Sequence, residues 1–118
     1  MRFNLATIHV SDFDASLHFY HDLLGLPIVR KFQGGSGPIA MLGQENQPQL
    51  ELVGFGKPEG QVGAGLSIGF AVDNLDETMA RLEGQVPPFK GPVSPNPHVR
   101  FAFTADPDGY TVQLLENI

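Results

Sequence analysis

Glu51 is the residue whose type and setting most clearly suggest chemistry. It interrupts an otherwise apolar run, with Leu50 before it and Leu52 after it. In a strand the two leucines point to one face and the carboxylate to the other. A carboxylate on a concave, partly apolar surface can act as a general base or bind a cationic ligand. Glu51 is therefore the candidate catalytic residue, and a solvated side chain without a role is the simpler alternative.

Other side chains have types that suit a binding site. His9 can bind an anion or exchange a proton near neutral pH. Arg100 follows a proline-rich stretch and can clamp an anionic ligand from beside a pocket, although solvation is the commoner fate of an arginine. Phe103 lies on a predicted strand and is a candidate for apolar ligand contact. Arg30 and Lys31 form a small basic group, for which solvation is again the simplest interpretation.

Apolar periodicity predicts the elements that position these residues. Phe13, Leu17, Tyr20 and Leu24 recur at helical spacing after the N-cap candidate Asp12. A second, shorter helix is predicted after Asn74, and a short edge strand within 85–98. The remaining strands are predicted at 4–10, 27–32, 39–42, 49–55, 65–72, 99–104 and 110–115.

The order β-α-β-β-β thus occurs twice, which predicts the α+β fold class. His9–Asp14 aligns with Ala71–Asp76, and Leu50–Leu52 aligns with Val112–Leu114, at a period of about 62 residues. We predict one domain over 1–118. Its first module covers about 4–55, its linker 56–63 and its second module about 64–116.

Two such half-sheets can curl into an open, cup-shaped mixed sheet with the helices outside. Strand alternation then places a set of polar side chains on the concave face, among apolar ones. Convergent polar groups of this kind are typical of a small-ligand pocket. The predicted ligand-binding residues are His9, Gln49, Glu51, Ser67, Arg100, Phe103 and Gln113.

Two segments carry a family resemblance. HVSDFDASLHFYHDLLGL, His9–Leu26, and ADPDGYTVQLLE, Ala105–Glu116, resemble the opening and closing motifs of the glyoxalase/bleomycin resistance/dioxygenase (vicinal oxygen chelate) superfamily. The resemblance covers nearly the whole chain and implies the fold. It leaves the function open, because this fold serves isomerases, dioxygenases, transferases and drug-sequestering proteins. In glutathione-using relatives a basic residue at the position of His9 contacts the substrate carboxylate.

The resemblance also implies where a divalent metal would bind. The family's four ligand positions fall here on Leu5, Glu51, Ser67 and Gln113. Leucine donates nothing, and serine and glutamine are weak neutral ligands. We therefore predict that the chain needs no cofactor, with a divalent metal only as the alternative. The predicted function is metal-independent binding of a small organic molecule; the alternative is a glyoxalase-type lyase or isomerase that uses Glu51 as base or residual metal ligand.

Composition bounds the partners. The formal net charge of −6 argues against nucleic acid and anionic membranes, and would suit a cationic drug. There is no cysteine, which excludes thiolate metal sites and cysteine nucleophiles. No apolar run approaches the ~20 residues of a membrane span, and the N-terminus lacks a signal-peptide pattern. We expect a cytoplasmic protein, and the resemblance implies a homodimer.

Overall fold

The computed structural model describes residues 1–56 and 62–118. By internal contacts the chain divides into two units, residues 1–60 and 61–118. Residues 57–61, within the predicted linker 56–63, lie outside the described residues. The elements are β1 Leu5–His9, α1 Phe13–Leu17, a π-helical segment His18–Leu23, β2 Ile28–Gln33, β3 Pro38–Leu42, β4 Gln49–Val53, β5 Ser67–Ala71, α2 Leu75–Leu82, β6 Lys90–Asn96, β7 Val99–Ala105 and β8 Thr111–Asn117.

Each unit holds one mixed four-stranded sheet. The strand order is β1-β4-β3-β2 in the first unit and β5-β8-β7-β6 in the second. In each sheet one pair is parallel, β1 with β4 and β5 with β8, and the other pairs are antiparallel. The α+β class and the repeated β-α-β-β-β order are therefore confirmed. The cup that two such sheets can form remains a prediction.

Alternation along the central strands decides which face of each sheet is buried. Leu50 and Leu52 of β4 are buried in the first unit, and Val112 and Leu114 of β8 in the second. A helix packs against each of these strands, α1 against β4 and α2 against β8. The intervening side chains therefore lie on the opposite face of each sheet, where the candidate site residues are found.

Side-chain caps begin both helices as predicted. The Asp12 carboxylate accepts a hydrogen bond from the Ala15 N–H at 3.1 Å. The Asn74 side chain accepts one from the Glu77 N–H at 3.0 Å. Each satisfies a backbone donor that the helix itself leaves unpaired.

The first helix differs from the prediction in its second half. The spacing of Phe13, Leu17, Tyr20 and Leu24 predicts one continuous α-helix, but α1 ends at Leu17 and the chain continues as a π-helix. In this wider π turn the adjacent side chains of Phe19 and Tyr20 both point inward. Both are buried, and their ring centroids lie 4.9 Å apart. The buried face thus departs from the stripe that a 3.6-residue period predicts.

Within the described residues, no helix is long and apolar enough to cross a membrane. The cytoplasmic location and the exclusion of nucleic acid stay predictions.

Candidate functional site

The first unit places Glu51 beside a hydroxyl. The parallel register of β1 and β4 sets Thr7 opposite Glu51, and the Thr7 hydroxyl donates to Glu51 Oε1 at 2.6 Å. Glu51 itself is half-buried. Within residues 1–56 no second hydrogen bond to this carboxylate is found. One oxygen is therefore fixed by the neighbouring strand, and Oε2 remains available to a donor from a ligand.

His9 lies on the same face, one pleat beyond Thr7. Its Nδ1 lies 2.7 Å from the carbonyl oxygen of Phe55. A carbonyl only accepts hydrogen bonds, so Nδ1 carries a proton and donates it. The contact fixes the orientation of the half-buried imidazole at the end of β1.

A cleft of about 760 Å³ opens in the first unit at the start of β1 and β4. Leu5, Met41 and Gln49 of the sheet line it, together with Arg30 of β2. The segment before β1 and the turn before β4 complete its walls. The Gln49 Nε2 donates to the Gln44 carbonyl at 3.2 Å, which orients the side-chain amide. Gln49 precedes Glu51 by two residues, so both side chains lie on one face of β4.

The second unit brings Ser67, Gln113 and Phe103 to one face of its sheet. Gln113 is paired with Gly69 on one side and Phe103 on the other. The Phe103 ring meets Phe101 edge to face, with centroids 5.5 Å apart. Phe103 also lines a cleft of about 390 Å³ beside β6. This face carries the neutral Gln113 and the aromatic Phe103, with Lys90 of β6 opposite Phe103, where that of the first unit carries a carboxylate.

Arg100 does not lie with the predicted ligand-binding residues. It is on the other face of β7, where its two terminal nitrogens contact the Asp76 carboxylate at 3.0 and 3.2 Å. The hydrogen bond and charge of Arg100 lower the pKa of Asp76, and the same hydrogen bond raises the pKa of Arg100. The structure therefore assigns Arg100 to a link between β7 and helix α2 rather than to an anion clamp.

The sequence pattern assigns no binding role to two basic residues that line the cleft, Arg2 and Arg30. In the structure Arg30 lies opposite Met41, and Met41 lies opposite Glu51. Alternation along β2 therefore puts Arg30 on the same face of the sheet as Glu51. No periodic signal precedes β1, so nothing in the sequence marks Arg2.

The donor set does not fit the metal that the family positions imply. Leu5 has no donor atom, Ser67 and Gln113 offer only neutral oxygens, and Glu51 is the one carboxylate. The Glu51 carboxylate is held by a hydroxyl of β1 and not by a second charged ligand. In the part of the chain that the structure describes, no three His, Asp or Glu side chains are grouped to hold a metal ion.

Comparison with known proteins agrees with the motifs. The family model "Glyoxalase/Bleomycin resistance protein/Dioxygenase superfamily" matches residues 2–114. A probable lactoylglutathione lyase from Synechocystis is 31% identical over 119 residues, covering 92% of this chain and 90% of that protein.

Solved structures give the same result. A glyoxalase/bleomycin resistance protein from a Streptomyces species is 26% identical, with a TM-score of 0.74 and coverage of 99% of this chain and 100% of that one. TnmS3, an antibiotic binding protein from the same species, shares the fold at 24% identity, with a TM-score of 0.79 and coverage of 100% and 97%. The chain thus belongs to the glyoxalase/bleomycin resistance protein/dioxygenase superfamily.

Proposed function

We propose that the protein binds a small organic molecule on the Glu51-bearing face of its first sheet, without the divalent metal of its catalytic relatives. One observation carries this proposal. The carboxylate at the family's ligand position is hydrogen-bonded to Thr7, and Leu5 occupies the partner ligand position on β1. A carboxylate that shares a metal would have a second ligand near it on β1, whereas this one lies opposite Thr7 and accepts a hydrogen bond from its hydroxyl.

The geometry of the face supports ligand binding. A half-buried carboxylate with one oxygen already held is pre-organised to accept a ligand N–H or O–H with little loss of side-chain freedom. The adjoining cleft of about 760 Å³ is of the size that small-molecule sites have. Its apolar wall includes Leu5 and Met41. Leu5, which occupies a metal-ligand position of the family, would therefore contact the ligand instead of a metal.

A glyoxalase-type lyase or isomerase is the second candidate. Several relatives that match over most of the chain, at 28–33% identity, are named lactoylglutathione lyase or probable lactoylglutathione lyase. Glu51 would then act as the base, or as a residual metal ligand, and His9 would contact an anionic substrate group from the same face. The donor set argues against this candidate, because polarisation by a bound metal is what such a lyase relies on.

A homodimer is part of the proposal. On strand β2 the apolar residues Ile28 and Phe32 are 36% and 44% exposed, and exposed apolar groups are typical of surfaces that a partner covers. Light scattering on a sizing column would give the mass in solution. A monomer at micromolar concentration would contradict this part of the proposal and leave ligand binding unaffected.

The test is a thermal-shift screen of small organic molecules, because a ligand that binds the folded state raises its melting temperature. Hits are then titrated against the wild type, Glu51→Gln and Asp14→Asn. The last variant is the matched control, since Asp14 is an exposed carboxylate on helix α1 of the same unit. We expect Glu51→Gln to weaken binding roughly tenfold, as the loss of a charge-assisted hydrogen bond would, and Asp14→Asn to leave it unchanged.

The same protein, supplied with Ni²⁺ or Zn²⁺, is assayed for formation of S-lactoylglutathione. Turnover that requires the metal and is lost in Glu51→Gln would contradict the metal-free proposal and establish the lyase. Equal ligand affinity in Glu51→Gln and the wild type would remove Glu51 from the site.

A further inference from the structure

The cleft beside Glu51 has a charge opposite to that of the protein. Residues 1–56 include three Lys or Arg and five Asp or Glu. Two of these three basic residues, Arg2 and Arg30, line the cleft, whereas Glu45 is the only acidic residue in its described lining. An acidic unit has therefore concentrated its basic groups around one concave surface. Such a surface attracts anions, whatever the sign of the net charge.

Arg30 is available to a ligand. Its Nη2 lies 3.6 Å from Glu45 Oε1, which is an ion-pair distance but too long for a hydrogen bond. The two side chains are 61% and 67% exposed, so solvent screens their attraction. A ligand anion can replace Glu45 at this guanidinium, and with hydrogen-bond geometry it would bind there more strongly.

The other residues that line the cleft indicate what the rest of the ligand is like. Phe3, Leu5 and Met41 give the cleft an apolar wall. Gln49 lines the same cleft, and because its amide nitrogen is bonded to the Gln44 carbonyl, its oxygen is the atom left to accept a donor. A molecule with an apolar body and an acidic end would match this apolar wall and the two arginines.

We infer that the ligand of this site is an organic acid, with its carboxylate on Arg2 and Arg30 and its apolar body against Leu5 and Met41. The inference rests on the proposed binding function and names the chemical class of its ligand. The net charge of −6 alone would instead suggest a cationic ligand.

Three probes of one shape and different charge test this inference. They are 2-naphthylacetate, 2-naphthylacetamide and 2-(2-naphthyl)ethylamine, titrated by NMR chemical shifts at low and high salt. The variants are Arg30→Gln and, as the matched control, Lys31→Gln. Lys31 is the next residue on β2, pairs with buried Ala40 instead of Met41 and does not line the cleft.

We expect the acid to bind at least about fivefold more tightly than the amide, a margin that added salt reduces. Arg30→Gln should remove this margin and Lys31→Gln should keep it. The inference is overturned if the amide binds as well as the acid, if none of the three binds, or if both variants behave alike. Tight binding of the amine that is lost in Glu51→Gln and kept in Arg30→Gln would also overturn it, yet would support the proposed function.

Discussion

The parallel strand pairs of the two units have equivalent backbones and different chemistry. In the first, the register sets Thr7 against Glu51. In the second it sets Gly69 against Gln113, and a Cβ added to that glycine would lie 3.9 Å from Gln113 Oε1. The hydrogen-bonded Thr7–Glu51 pair of the first unit thus corresponds to a glycine, which has no side chain, beside the Gln113 amide in the second.

The neighbouring antiparallel strands differ in the same way. Ile39 and Met41 of β3 lie across from β4, whereas Phe101 and Phe103 occupy the matching positions of β7. The helix-covered face is apolar in both units. The comparison teaches that the buried face keeps its apolar character in both units, while the residue types on the opposite face of each sheet differ.

Matched truncations of the two cores should have the largest effect. Leu52 and Leu114 occupy equivalent positions on β4 and β8 and are 0% and 1% exposed. Leu52→Ala and Leu114→Ala should each lower the free energy of unfolding by about 2–5 kcal/mol, because each leaves a cavity in a packed core. Urea denaturation measures this loss. Gln113→Ala, on the face of the sheet that no helix covers, is the control. If either leucine variant lost less unfolding free energy than this control, the two cores would not be equivalent.

Two hydroxyls at equivalent helix positions should respond in opposite directions. Ser16 is fully buried, and its Oγ has no hydrogen-bond partner in the described part of the chain. Thr78 Oγ1 donates to the Asn74 carbonyl at 2.8 Å. Ser16→Ala should leave stability unchanged or raise it by up to about 1 kcal/mol, whereas Thr78→Val should lower it by up to about 1 kcal/mol. If Ser16→Ala lowered the stability more than Thr78→Val, the Ser16 hydroxyl would have to have a hydrogen-bond partner.

Arg100→Gln should have the smallest effect, and only on stability. Arg100 lowers the pKa of Asp76, so this carboxylate stabilises the folded state above its ordinary pKa, and the contribution is lost as the pH falls through the lowered value. The small difference in urea midpoint between the wild type and the variant should therefore be present at neutral pH and fade in acid. Ligand affinity should not change. A clear loss of affinity would return Arg100 to the binding site.

Local sequence pattern was sufficient for the elements and their caps. Alternation around Leu50 and Leu52 located β4 and the face that Glu51 occupies, and Asp12 and Asn74 marked both helix starts. The π-helix was not predictable in this way, since Phe19 and Tyr20 are buried through a change of period within one helix. A pattern that assumes 3.6 residues per turn cannot register such a change.

The contacts of the site depend on pairings far apart in the chain. Thr7 meets Glu51 across 44 residues, and Arg100 meets Asp76 across 24. Strand alternation is sufficient to put Gln49 and Glu51 on one face of β4. It could not identify the partner of Arg100, because that partner lies on helix α2 and no periodic rule relates a helix surface to the strand beneath it.

Metal content tests the central claim most directly. Purified protein is dialysed against Ni²⁺, Zn²⁺ and Fe²⁺, desalted, and measured by inductively coupled plasma mass spectrometry, for the wild type and for Glu51→Ala. The face described here, with Leu5 where a ligand would stand and Thr7 on the carboxylate, predicts far less than one metal ion per chain and no difference between the two proteins. One ion per chain in the wild type that is lost in Glu51→Ala would contradict the account.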